Sequence, residues 1–256
     1  MIKSHTPDQL RLTALRAFPL VTAGDNLAGL IAESLQLNNL ECREHDVLVV
    51  AQKVVSKAEG RAVSLAQIEP SDEAERRARE TGKDPRIVEL ILRESTVVVR
   101  QADKLIITEN HLGIVMANAG IDQSNVDDGY ALLLPLDPDS SARKIRDHLN
   151  SSYGVKTGVI VADSIGRAWR NGVIGHAIGV AGISALLDLR KMPDLNNREL
   201  RVTDVAIADE IAAAAALLMG QAAEGKPVVL VRGFQHIQGS STAKSLLRPK
   251  ALDLFR

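Results

Sequence analysis

The chain has 256 residues, 45% hydrophobic and 25% charged, with 31 Lys and Arg set against 32 Asp and Glu. A net charge of −1 leaves no global electrostatic pull toward nucleic acid or anionic lipid, although a local basic patch could still lie within it, and an aromatic content of 2% leaves stacking platforms for single strands nearly absent. The longest apolar stretch, residues 211–219, is too short to span a bilayer, no secretory signal pattern opens the chain, and a single Cys42 cannot cross-link it. A cytoplasmic protein with no membrane and no nucleic-acid partner is expected, with a core of Val, Ile, Leu and Ala.

In chain order, apolar runs and their spacing predict a strand over 12–17, a helix over 26–37 and a strand over 47–51. Helices follow over 72–80 and 85–94. The second is the clearest local signal, because Asp84 supplies an N-cap and Pro85 a first-turn proline. Strands are then predicted over 96–100, 105–108, 113–116 and 130–134, a helix over 140–152, a strand over 158–162, a helix over 205–221 and a strand over 228–232. Three strands separated only by turn-length gaps between 96 and 116 favour antiparallel or mixed pairing. The fold class expected is therefore α+β, with mixed and antiparallel sheets and flanking helices, rather than doubly wound α/β. No linker or repeat divides residues 1–256, which read as one domain that can contain two intimate, interleaved subdomains. The polar stretches 69–84, 137–143 and 190–201 are expected to be surface loops or seams.

Neither a P-loop nor a dinucleotide fingerprint occurs, nor HExxH or paired CxxC, and the six histidines are too scattered for a zinc site. Polar, glycine-bearing sequence instead follows predicted strands, where a side chain is held rigidly beside open backbone. Such places are 118–125, 162–170 and, ahead of the last strand, 219–226. Asp122 and Asp163 lie in two of them and could hold Mg²⁺ or Mn²⁺, or could simply cap a turn and a helix. Arg167 and Arg170 flank Trp169 and could grip a phosphate or carboxylate, or remain solvated. Glycines spaced through 172–182 allow close approach of a ligand or of another strand. Gln52, Lys53 and the segment 56–61 read as a loop whose lysines could meet a triphosphate. His176 and Cys42 read as structural.

The segments VVAQKVVSKAEGR at 49–61, ITENHLGIVMANAGIDQSNV at 107–126, VIVADSIGRAWRNGVIGHAIGVAG at 159–182 and MGQAAEGKPVVLVRG at 219–233 resemble the coenzyme F420-0:L-glutamate ligases. The similarity runs from about residue 16 to 233, in order and with family-like spacing. It implies an unusual α+β fold, an intimate homodimer, and a stand-alone ligase without a flavin-binding domain. It also implies GTP-dependent formation of a γ-linked amide between L-glutamate and the terminal carboxylate of coenzyme F420-0 or of a tail already begun, through an acyl phosphate. By the same resemblance two divalent ions, Mg²⁺ or Mn²⁺, are required, with K⁺ allowed for. Asp122 and Asp163 would hold the first ion, and Ser164 and Gln221 the second, with Ser164 standing where threonine is expected. Asp122, Asp163 and Lys57 would be the catalytic groups. Nucleotide contacts would come from Phe18, Pro19, Leu20, Val21, Gln52, Lys53, Lys57 and Asn125, and from Met219, Gly220, Gln221, Ala222, Ala223, Glu224, Gly225 and Lys226. Gln52 and Lys53 depart from the small hydroxyl residues expected there. Two competing readings are ligation to a different acid-bearing cofactor, such as a folate-like one, and a non-catalytic nucleotide or cofactor carrier.

Overall fold

The structure, a computed structural model, describes residues 8–234 and 241–254. Its elements in order are β1 (Arg11–Ala14), α1 (Leu27–Leu37), β2 (Val47–Ala51), α2 (Gln52–Ala58), β3 (Ala62–Ser64), α3 (Asp72–Thr81), α4 (Pro85–Arg93), β4 (Ser95–Ala102), β5 (Leu105–Asn110), β6 (Val115–Ala117), β7 (Tyr130–Leu132), α5 (Pro138–Tyr153), β8 (Gly158–Arg167), β9 (Arg170–Ala181), β10 (Leu187–Asp188), β11 (Asp204–Val205), α6 (Ile207–Met219) and β12 (Val228–Arg232). Among the described residues no helix is long and apolar enough to cross a membrane.

A five-stranded sheet in the order β1-β12-β2-β8-β9 forms the centre. Only β2 and β8 pair in parallel, the other neighbours running antiparallel, so the sheet is mixed as expected. Alternation along the strands divides the core into two layers. Leu48, Val50, Val159 and Val161 face α1 and α5, while Val47, Val49, Ile160 and Ala162 face α6. Both faces are covered, so β2 is apolar throughout rather than alternating, and each fully buried Val or Ile contributes roughly 1.5–3 kcal/mol.

Between α2 and α5 the chain leaves this body to build an excursion with its own core. There α3 and α4 pack Ala74, Ala78, Val88 and Ile91 with Ile106, Ala119 and Ala131. It contains the sheet β4-β5-β6 and the ribbon β3-β7. Arg61 fastens it near its exit, donating to Leu134 O at 2.8 Å and to Glu94 Oε2 at 2.9 Å.

Several expectations need correction. Residues 162–170 are not a loop: β8 continues through Asp163 and Ser164 to Arg167 and turns into β9. The glycine-spaced run is thus a strand, and Gly175, Gly179 and Gly182 are packing sites, whereas Gly172, at φ +87°, lies in open space beside the hairpin turn. A Cβ on Gly175 would lie 2.4 Å from Ala212 O and one on Gly179 2.3 Å from Pro138 O, so α6 and α5 press directly on the strand. Residues 52–58 are helix α2 rather than loop, and 137–143 opens α5, with Asp137 Oδ1 accepting from Ser140 N at 2.9 Å. Most of 69–84 is likewise helix α3, a charged solvent face. The strand expected over 113–116 begins only at Val115, because Gly113 has φ +82° in the turn before it.

Candidate functional site

Strands β1, β2 and β8 run in the same direction, and the segments that leave β1 and β2 meet residues 162–164 of β8, where that strand outruns β2, and the segment that enters β12. A cleft of about 650 Å³ opens there, lined by 18–21, 51–54, Lys57, Asp122, Ser124, Asn125, 162–164, Gly175, Ala216 and the 219–227 segment apart from Glu224. Every residue singled out from the sequence as metal-ligating, catalytic or nucleotide-contacting lines this cleft except Glu224. Glu224 turns back on its own loop instead, its Oε2 accepting from Ala222 N at 2.8 Å. Gly220, at φ +74°, lets that loop leave α6 sharply.

Asp122 reaches the cleft from the excursion. Three successive left-handed residues, Asn118, Ala119 and Gly120, at φ of 52°, 56° and 77°, swing the chain out of β6. A bridge then fixes Asp122, whose backbone exchanges bonds of 3.0 and 2.8 Å with Leu132. Such backbone conformations are costly and mark places where side-chain direction matters. Asp122 Oδ1 accepts from Ser124 N at 2.7 Å, and Oδ2 lies 2.5 Å from Lys53 Nζ. Lys53 Nζ also donates to Ser124 Oγ at 2.5 Å. Burial opposes ionisation of Asp122, but Lys53 and the Ser124 N–H outweigh it and hold the carboxyl below its ordinary range.

Asp163 comes from β8. Burial pushes its carboxyl up to about 6, and although the Ser164 N–H opposes this at 2.8 Å, the Asp122 carboxylate adds to it. Lys53 and the Gln52 amide pull weakly the other way. Gln52 is free to donate because its Oε1 already accepts from Ser56 Oγ at 2.9 Å. Next along β8, Ser164 Oγ donates to Gln221 Oε1 at 2.7 Å, joining the hairpin to the 219–226 loop.

This set of oxygens fits a hard divalent cation. Asp122 pairs with one ammonium beside a second carboxylate, and the Ser164 hydroxyl of β8 meets the Gln221 amide oxygen of the 219–226 loop. Among the described residues no three His, Cys, Asp or Glu side chains cluster for a metal, so an ion here would complete its shell from Ser164, Gln221, water or a ligand's phosphate. Lys57 lines the cleft one helical turn after Lys53, on the same face of α2.

Other candidates lie elsewhere. Arg167 donates to Asn171 O at 3.0 Å at the hairpin tip, and neither it nor Arg170 lines the cleft. His176 packs toward Asp209, its Nε2 3.7 Å from Oδ2. Burial pushes the Cys42 thiol up to about 12, which removes it as a nucleophile. Sequence reasoning missed Ser124, which anchors Lys53. The Asp-x-Ser spacing of an Asx turn at 122–124 is the signal that could have found it.

The profile of the family described as F420-0:Gamma-glutamyl ligase matches residues 16–233. A protein of Methanothermobacter thermautotrophicus named coenzyme F420:L-glutamate ligase is 47% identical over 249 residues, covering 96% of this chain and 99% of the relative. The proteins of the same name from Methanopyrus kandleri and Methanocaldococcus jannaschii are 49% and 43% identical, covering 92% and 93% of this chain and 93% and 94% of their own lengths.

Proposed function

The chain belongs to the F420-0:gamma-glutamyl ligase family, and from that premise we propose that it joins L-glutamate to coenzyme F420-0, and in further rounds to F420-1, in a GTP-dependent reaction. The observation that carries this reading is the convergence of five sequence-distant segments on one cleft where Asp122, paired with Lys53, lies beside a second carboxylate, Asp163.

A carboxylate is a poor acylating agent. Transfer of the γ-phosphoryl group of GTP to the acceptor's terminal carboxylate gives an acyl phosphate and GDP. The amine of glutamate then displaces phosphate, forming the amide and losing its proton. Asp122 and Asp163 would hold one divalent ion, Mg²⁺ or Mn²⁺, and Ser164 and Gln221 a second. Bound there, such ions neutralise charge on the transferring phosphoryl group. Lys57 adds a fixed charge from the wall of the cleft, and the 219–226 loop, pinned by Glu224, offers backbone N–H groups to the triphosphate. The protein is proposed to act as a homodimer.

Mass spectrometry tests the reaction directly. Purified protein would be incubated with F420-0, L-glutamate, Mg²⁺ or Mn²⁺, and either GTP or ATP. The expected product is heavier by whole glutamate residues and forms with stoichiometric GDP. No product from folded protein that binds Mn²⁺ would sink the acceptor assignment, and a product with a folate-like acid instead would replace it.

A further inference from the structure

Lys53 holds a position with consequences for how the cleft is loaded. It follows β2 directly, near the start of α2, and its ammonium lies 2.5 Å from both Asp122 Oδ2 and Ser124 Oγ. It thereby bridges the main sheet and the excursion. It occupies Asp122 Oδ2, and because Oδ1 already accepts from Ser124 N, a cation binding Asp122 through Oδ2 would have to displace it.

A divalent ion bound to a carboxylate oxygen at roughly 2.0–2.2 Å cannot coexist with an ammonium on the same oxygen without strong like-charge repulsion. The pair can open, because the Lys53 and Asp122 side chains keep 28% and 31% of their surface exposed. Four methylenes give the ammonium reach within the cleft, whose wall also carries Lys57 and Lys226 and so favours an anionic occupant.

We propose that Lys53 is a tethered stand-in for the divalent ion: it neutralises Asp122 and Asp163 in the metal-free protein, yields Asp122 to the incoming cation, and then turns its ammonium to the triphosphate. This rests on the reading of Asp122 and Asp163 as ligands of one ion. A metal binding alone must break the Lys53 pair with nothing in return. A metal binding with the triphosphate gives the displaced ammonium a new partner. Lys53 therefore couples the two ligands, each tightening the other by the same factor.

The test is Mn²⁺ titration followed by electron paramagnetic resonance, for wild type, Lys53→Met, Lys53→Gln and Lys53→Arg, with and without GTP, folding being checked by circular dichroism. Without nucleotide, Lys53→Met and Lys53→Gln are expected to bind Mn²⁺ about two- to fivefold more tightly than wild type, the range for losing a partly exposed competing ion pair. Their melting temperatures in chelator are expected to fall. Lys53→Arg, which keeps the charge, is expected to restore wild-type affinity. GTP is expected to tighten Mn²⁺ binding more in wild type than in the two neutral variants. Unchanged or weaker Mn²⁺ binding in both neutral variants overturns the proposal. Asp163→Asn, titrated alongside, separates the two levels. If it loses Mn²⁺ while the neutral Lys53 variants gain nothing, only the role of Lys53 falls. If it binds Mn²⁺ like wild type, the carboxylate pair is not the metal site and both readings fall.

Discussion

Two aspartates in different regions of the molecule ionise in opposite directions from the same starting chemistry. Asp188, on the exposed β10-β11 ribbon, meets Arg190 through both oxygens at 2.8 and 2.6 Å, and its carboxyl is held down to about 2. Asp163, in the cleft, is pushed up to about 6 by burial first and by the Asp122 carboxylate after it. A third aspartate shows how an acid is paired inside the main body. Asp46 is 1% exposed, yet Arg232 grips both of its oxygens at 2.9 and 2.7 Å and Arg43 N adds a bond of 2.8 Å. What distinguishes the cleft is two carboxylates beside one ammonium, which pairs with Asp122. A fold that satisfies Asp46 and Asp188 so completely leaves Asp163 needy where an ion and phosphates would complete it.

Replacing these acids and their partners, one at a time, would break or sharpen that contrast. The largest effect is expected from Asp163→Asn, which should lower ligase turnover by on the order of a hundredfold to a thousandfold while the protein still folds, measured under saturating Mg²⁺. Wild-type turnover would remove Asp163 from the chemistry. Next, Arg232→Met strands the buried Asp46 and should lower unfolding free energy by about 3 kcal/mol in urea titration. A change well below 1 kcal/mol would mean that Asp46 finds other partners.

A smaller effect concerns pH and the metal-free protein. The folded carboxyl of Asp163 is raised above its unfolded value, so the native state holds that proton more tightly. Its favourable contribution is complete below about pH 4 and is lost as pH rises through about 6. In chelator, Asp163→Asn should therefore gain on wild type across that window, reaching about 3 kcal/mol at pH 7, and saturating Mn²⁺ should reverse the order. A pH-independent difference would contradict the burial of an ionisable group there. The smallest effect is expected at Asp188→Asn, where an exposed pair is exchanged for solvent and the urea midpoint should not move measurably.

Much of the scaffold was legible because burial writes itself into composition. Val47–Ala51 and Val228–Arg232 are apolar runs covered on both faces, and Asp84 with Pro85 marks the head of α4. Where the reading failed, the reason is local. Helix α2 is only seven residues long, follows β2 without a break and has no side-chain cap, so nothing punctuates it. Strand β9 carries glycines where strand propensity calls for branched residues, because Gly175 and Gly179 are selected by helix backbones pressing on them. The cleft is a different case. Asp122 and Asp163 could be picked as strand-end acids, but their meeting depends on how the excursion docks, which periodicity cannot report. Family resemblance brought the segments together, and of the residues it named Glu224 alone lies outside the cleft lining, turned back on Ala222 N.

Strand β12 lies between β1 and β2, its residue Val229 opposite both Ala14 and Val49. The strand formed near residue 230 thus completes a gap left between two strands formed near residues 12 and 49. Until that late segment arrives, β1 has no neighbour in the sheet, and one edge of β2 presents unpaired N–H and C=O groups. Assembly is therefore bound to contacts of long sequence separation, which slow folding and prolong exposure of an adhesive edge. A chain caught during synthesis would be recognisable by that open slot, which an extended peptide with the pattern of Val228–Arg232 could fill from outside.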